Sequence, residues 1–183
     1  VSTVDLHNFI QRLAPESDVC LESAAAIAVR TAQDTVELTH LLAAAVDRPD
    51  FAGLFEKADV SIDRLRAELQ QELAAARPGS GGAPGFSQTL INLFKEAWVC
   101  ASLTYGRQRI APADLLFALV NDSVLRSLAC SVAPSLRRAN RSAIEAMAAS
   151  LGLGQENDTR SAAPIGSAPA AGGEDFLRLY TQD

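Results

Sequence analysis

An internal repeat constrains this sequence more than any single segment does. Displaced by 74 positions, the chain matches itself without gaps from about residue 17 to 55. The displacement pairs Glu22 with Glu96, Val36 with Ile110, and Leu41-Leu42 with Leu115-Leu116. It also pairs Ala44 with Ala118, Val46 with Val120, and Leu54 with Leu128. Two like units follow, each a long helix, a loop, a helix beginning near a β-branched residue, then two more. Neither half carries enough apolar surface to stand alone comfortably, so the two are expected to share one core. The expected domain spans 1–150, with repeats at about 17–77 and 87–150.

The apolar spacing inside each unit is helical. Leu6, Phe9, Ile10 and Leu13 fall at i, i+3, i+4 and i+7, one stripe on a short helix over 3–13 that stands outside the repeat. Ser2 or Thr3 is placed to cap it and Pro15 to stop it. Further helices are expected over 17–32, 38–47, near 51–57, and over 61–76 with Ser61 as cap. After residue 85, Ser87 opens a long helix to about 105 that Gly106 ends, and Pro112 and Pro134 open helices over 112–121 and 134–150. No strand is expected, so the fold class is all-α.

Glycine and proline gather in two places. Residues 78–85, Pro-Gly-Ser-Gly-Gly-Ala-Pro-Gly, read as a flexible linker. The tail from 152 to about 175 is too poor in apolar surface to offset its ordering entropy and reads as disordered. Charge divides unevenly. Residues 1–77 hold 13 acids and 7 bases, a net of −6, while 86–150 hold 4 acids and 7 bases, a net of +3. The tail supplies the remaining −3.

These features exclude several functions. No run approaches the roughly 18 apolar residues that a membrane span needs, and the N-terminus lacks a basic, apolar, small-residue cleavage pattern. A net charge of −6 argues against general affinity for nucleic acid; Arg137, Arg138 and Arg141 read first as a solvated face, with a basic rim for an acidic partner segment as the functional alternative. Cys20, Cys100 and Cys130 are too scattered to form a cage with His7 and His40, and read as buried apolar fillers. Metal and cofactor are therefore not expected. His40 and its repeat counterpart Asp114 read as first-turn caps, and Glu22 and Glu96 as structural hydrogen-bonding carboxylates rather than a catalytic pair. Gly79 to Gly85 lack the lysine and preceding strand of a phosphate loop. Trp98, the single tryptophan, shares a face with Leu90, Phe94 and Ala101 and reads as core.

The double repeat with its paired leucines resembles the Clp N-terminal domain of double-ring AAA+ unfoldases. Arg12-Leu13-Ala14-Pro15 followed by Leu21-Glu22-Ser23-Ala24-Ala25, together with Glu96-Ala97-Trp98-Val99-Cys100-Ala101-Ser102-Leu103, is similar to one branch. That branch is the type VI secretion sheath-disassembling ATPases, the ClpV or TssH family. Ala14 stands where the family pattern has Asn, and the Gly/Pro linker is longer than usual. Phe176 to Asp183 is similar to the stretch opening the family's first ATPase module, so the resemblance implies a fragment that stops before it.

The resemblance implies recognition rather than catalysis. A cytoplasmic domain would bind the N-terminal helix of the large sheath subunit (TssC, or VipB), or an accessory sheath protein. The missing modules would form the hexamer and hold ATP and Mg, while the isolated domain would be monomeric. The family's extra first helix helps form the groove, so Leu6, Phe9, Ile10 and Leu13 are the expected wall residues. Spacing on the helix after the linker adds Phe86, Leu90 and Phe94 as the opposite wall. A general Clp-type domain for adaptors or misfolded chains, a small enzyme using Glu22 and Glu96, and a nucleic-acid module are the alternatives.

Overall fold

A computed structural model describes residues 3–79 and 82–151, with side chains from residue 7 onward. The tail and the expected start of an ATPase module lie outside the described residues, as does part of the linker. The helices are α1 (Thr3–Ile10), α2 (Pro15–Arg30), α3 (Leu38–Val46), α4 (Pro49–Lys57), α5 (Ile62–Ala75), α6 (Gln88–Val99), α7 (Pro112–Asn121), α8 (Ser123–Val132) and α9 (Arg141–Ser150). The fold is all-α with a double repeat, and none of the described helices is long and apolar enough to cross a membrane.

Helices α3 and α7 form the centre. Residues 40–46 and 113–120 are buried in an unbroken run in each, the mark of a helix packed on every side rather than along one stripe. Helix α2 packs on α3, α6 on α7, α3 on α5 and α7 on α9, while α4 crosses to α7 and α9 and joins the halves into one core.

Four local expectations are corrected. Pro15 begins α2 at its first turn rather than merely stopping α1, a position where its missing N–H costs nothing. Pro134 opens a five-residue 3-10 helix (Pro134–Arg138), and α9 begins at Arg141 behind the Asn140 cap. The helix expected to reach 105 ends as α6 at Val99 and continues as a π-helical turn over Cys100–Thr104. Two short strands also exist, β1 (Thr35–Val36) and β2 (Gly85–Phe86), paired in parallel.

The strands follow from the pseudo-twofold. Val36 pairs with Phe86, and at the equivalent place Ile110 pairs with Leu13 in an isolated parallel bridge. Each repeat thus sends the segment ahead of its first long helix to the other repeat. The Gly/Pro linker is consequently tied down at its ends: the Gly79 N–H donates to the Ala32 carbonyl, and Gly85 N–H to that of Asp34. A Cβ on Gly79 would meet the Asp34 carboxyl group, so any larger residue there requires that side chain to turn away.

The repeat spacing is not uniform. Buried Ser17, Cys20, Leu21, Ala24 and Ala28 of α2 correspond to Leu90, Leu93, Phe94, Ala97 and Ala101, a spacing of 73. Beyond Gly106 the spacing is 74, and the extra residue is absorbed by the π-helical turn. Glu22 therefore matches Lys95 rather than Glu96.

Candidate functional site

Helix α1 leaves its last turn through hydrogen bonds from Arg12 N–H to the Phe9 carbonyl and from Leu13 N–H to that of Ile10, each spanning three residues. The chain then locks onto the second repeat. Ile110 N–H donates to the Arg12 carbonyl at 2.7 Å, Ala14 N–H to that of Ile110 at 2.9 Å, and the Arg109 guanidinium to that of Leu13 at 3.2 Å. These bonds tie the segment that follows α1 to the second repeat, and α1 itself packs against α6. The Arg12 guanidinium lies 4.1 Å from the centre of the Trp98 ring, a cation–π contact worth about 0.5–1 kcal/mol at an exposed position.

Helix α6 supplies the other side. The Ser87 hydroxyl accepts from the Leu90 N–H and caps its start, as the sequence suggests. At its far end the Ser102 hydroxyl donates to the Trp98 carbonyl at 2.6 Å, inside the π-helical turn. The turn leaves Leu103 80% exposed and Val99 44% exposed, an apolar pair beside the α1–α6 contact in sequence.

The structure distributes the expected wall residues unevenly. Phe9 is half-buried and packs against the core, Ile10 and Leu13 are buried, and the Leu6 side chain lies outside those described. Leu90 and Phe94 are closed inside the core at 0% and 1% exposure. Phe86 is half-buried but sits on the Val36 ladder, 12 residues and thus roughly 18 Å of helix from Trp98. Phe9, Ile10 and Leu13 are brought to the Trp98 end of α6, and Phe86 is not. Trp98 is half-buried rather than core, and its partner Arg12 is the residue that helical periodicity did not single out.

A second cleft of about 430 Å³ runs between α6 and α8, lined by Gln88, Asn92, Glu96, Val124 and Leu128 among others. Glu96 is exposed there and Glu22 is half-buried on α2, its carboxyl pushed up by burial and then by Asp18. Neither accepts a hydrogen bond among the described residues, so the expected structural bonding of this pair is absent.

The caps agree with the sequence. The Glu37 N–H donates to Nδ1 of His40 at 2.9 Å, and the Ala111 N–H to Oδ2 of Asp114 at the same distance. Asp114 is fully buried and also accepts from Arg107, itself 6% exposed. Cys20 is buried with its thiol pushed up to about 12 by desolvation, and Cys100 and Cys130 are buried too. Among the described residues no three His, Cys, Asp or Glu side chains gather closely enough to hold a metal ion.

Solved structures share this architecture. The N-terminal domain of the ClpV1 ATPase from E. coli EAEC Sci1 superposes with TM-score 0.67 at 24% identity, covering 80% of this chain and 91% of that one. The N-domain of ClpV from Vibrio cholerae gives 0.64 at 23%, covering 79% and 89%. A complex of ClpV N-domain with VipB peptide gives 0.62 at 24%, covering 79% and 91%. No curated protein sequence matches the chain. The family profile of the Clp repeat (R) N-terminal domain matches residues 12–129, nearly two thirds of the chain, across both repeats and the bridge between them. With that match, and with the helical double repeat that the fold displays, this chain belongs to the Clp repeat N-terminal domain family.

Proposed function

We propose that this domain recognises substrate for a type VI secretion AAA+ unfoldase, taking the N-terminal amphipathic helix of the contracted sheath's large subunit against the face built by α1 and α6. One observation carries the reading. Helix α1, an addition to the repeat, is fixed to the second repeat through Leu13–Ile110 and Arg12–Trp98 while the Phe9 and Trp98 rings stay half-exposed. The solved pairing of a ClpV N-domain with a VipB peptide supports the choice of partner.

In this reading Leu6, Phe9, Ile10 and Leu13 form the α1 side of the groove. Buried Leu90 and Phe94 shape it from behind, and Phe86 marks the far end of α6. Three or four anchors contribute roughly 1.5–3 kcal/mol each. Ordering the peptide costs about 2–5 kcal/mol, so an affinity near micromolar, about −8 kcal/mol, is expected. Several domains on one ring raise avidity without new contacts.

The test is calorimetric titration of the 183-residue chain with a synthetic peptide covering that sheath helix. Saturable micromolar binding, weakened by about 1 kcal/mol or more in Phe9→Ala, is the expected result. An absence of binding at several hundred micromolar removes the sheath helix as the ligand and moves the search to an accessory protein, adaptors or misfolded chains.

A further inference from the structure

The second repeat contains a cleft whose charge the first repeat does not reproduce. It holds about 380 Å³ between the starts of α8 and α9 and is lined by Asn121, Ser123, Arg126, Ser127 and Arg141, with Val120 and Cys130 at its floor. At the 74-residue spacing these α7–α8 positions correspond to Asp47, Pro49, Ala52 and Gly53. The fold therefore has no need of the two serines or of Arg126.

The contrast is sharpest at Asn121. In the first repeat the matching Asp47 accepts from Arg66 at 3.0 Å, and Asp63 accepts from the same guanidinium at 3.3 Å, so that arginine is neutralised. In the second repeat Arg141 donates to the Asn121 amide oxygen, which orients the guanidinium without cancelling its charge. The Arg126 guanidinium has no ion-pair or hydrogen-bond partner among the described residues. Half-buried, Arg126 also borders the small apolar cavity walled by Leu119, Ala129 and Ile144. The Ser123 and Ser127 hydroxyls have no partner among the described residues either. With its oxygen occupied, the Asn121 amide offers donors as well. Two guanidinium groups, two hydroxyls and an amide thus line one cleft in a chain of net charge −6, with no carboxylate among the lining residues.

We infer that this cleft is an anion site for a phosphate group, taken between Arg126 and Arg141 with Ser123 and Ser127 as further donors. A tetrahedral dianion presents enough acceptor oxygens to use donors from several directions, and guanidinium forks match it in charge and spacing. A carboxylate offers two oxygens in one plane and leaves part of the set unused. The basic cluster suggested by sequence, Arg137, Arg138 and Arg141, is not the site. Arg138 lines a separate pocket beside Asp59 and Arg64, and Arg126 takes its place.

The test is an NMR titration of the full chain at pH 7.5 and constant ionic strength with sodium phosphate, glycerol 3-phosphate, acetate and chloride. Saturable shifts of the Ser123 and Ser127 amides at about millimolar phosphate, with no saturation by acetate or chloride, are expected. The double variant Arg126→Gln/Arg141→Gln should weaken phosphate at least about tenfold, the loss expected of one charge-assisted hydrogen bond. Ser127→Glu, which places a carboxylate in the cleft and leaves the arginines intact, should abolish the shifts. Glycerol 3-phosphate binding as well as phosphate supports an esterified ligand, and phosphate binding alone supports the free ion. Equal responses to all four anions, or unchanged phosphate affinity in both variants, overturn the assignment.

Discussion

Ala32 and Gly106 stand at the same point of the two repeats, each just past the first long helix of its unit, and both adopt left-handed backbone, φ 52° and 64°. The matching hydrogen bonds are Gln33 N–H to the Ala28 carbonyl and Arg107 N–H to that of Ala101. Nothing lies within 4 Å of a Cβ built on Gly106, so Gly106→Ala meets a backbone cost alone. A loss of about 1 kcal/mol in urea unfolding is expected. Ala32→Gly, which relieves the same strain, should be neutral or stabilising by less than about 1 kcal/mol. A loss well above that range in Gly106→Ala would mean a clash that the open surroundings do not contain.

Asp114 and Arg107 form a buried ion pair, 0% and 6% exposed at their side chains. Burial pushes the Asp114 carboxyl up, against the Ala111 N–H and Arg107, which hold it down. Arg107→Met leaves that carboxyl without its cation and also frees the Ala148 carbonyl, which accepts from Arg107 at 2.6 Å. A loss of about 3–5 kcal/mol is expected. Adding Asp114→Asn keeps an acceptor for Ala111 N–H and should restore at least half of it, measured by chemical denaturation of both variants. Two losses that simply add would show that the residues do not act as a pair.

His40 gives the domain a sensitivity to mild acid. Its ring is 3% exposed, Nδ1 accepts from Glu37 N–H, and Nε2 is buried with no partner among the described residues. Desolvation lowers its pKa, so the folded protein favours the neutral ring. The unfolded chain takes up a proton first as pH falls through about 6.5. This contribution to stability is therefore complete above that pH and declines below it, toward the folded pKa. The urea midpoint should drop between pH 7.5 and 5.5, and the drop should shrink in His40→Asn. Identical midpoints at the two pH values would contradict a neutral buried ring.

Trp98, the single tryptophan, is a built-in reporter of the proposed groove. A helix docking on the α1–α6 face should shift its emission to the blue and protect it from acrylamide. Arg12→Gln, which removes the guanidinium 4.1 Å away, should alter emission in the free protein and change peptide affinity by up to about tenfold. Binding seen by calorimetry with no change in Trp98 emission would place the peptide elsewhere, for example in the α6–α8 cleft beside Val124 and Leu128.

Much of this domain is legible in the residue string. The paired leucines, the helical stripes and the matched caps His40 and Asp114 are local signals, each read from neighbours three or four positions away. The candidate site is less legible. Sequence spacing puts Leu90, Phe94 and Phe86 on one wall, yet it cannot say which side of a helix the rest of the fold covers. Leu90 and Phe94 prove fully covered, and Arg12 gains significance only because its guanidinium reaches Trp98, 86 residues away.

By itself the sequence determined that this chain folds as two related helical units around shared apolar stripes, because helical periodicity and capping are properties of short segments. Tertiary structure alone decided how the units interlock. The two-residue ladders Thr35–Val36 with Gly85–Phe86, and Leu13 with Ile110, are too short to carry an alternating pattern and exist because distant backbone groups meet. The same holds for the shift from 73 to 74, since a one-residue insertion absorbed in a π-helical turn leaves both flanking helices chemically unchanged. It is the hydrogen-bond register and the burial of each face that reveal it.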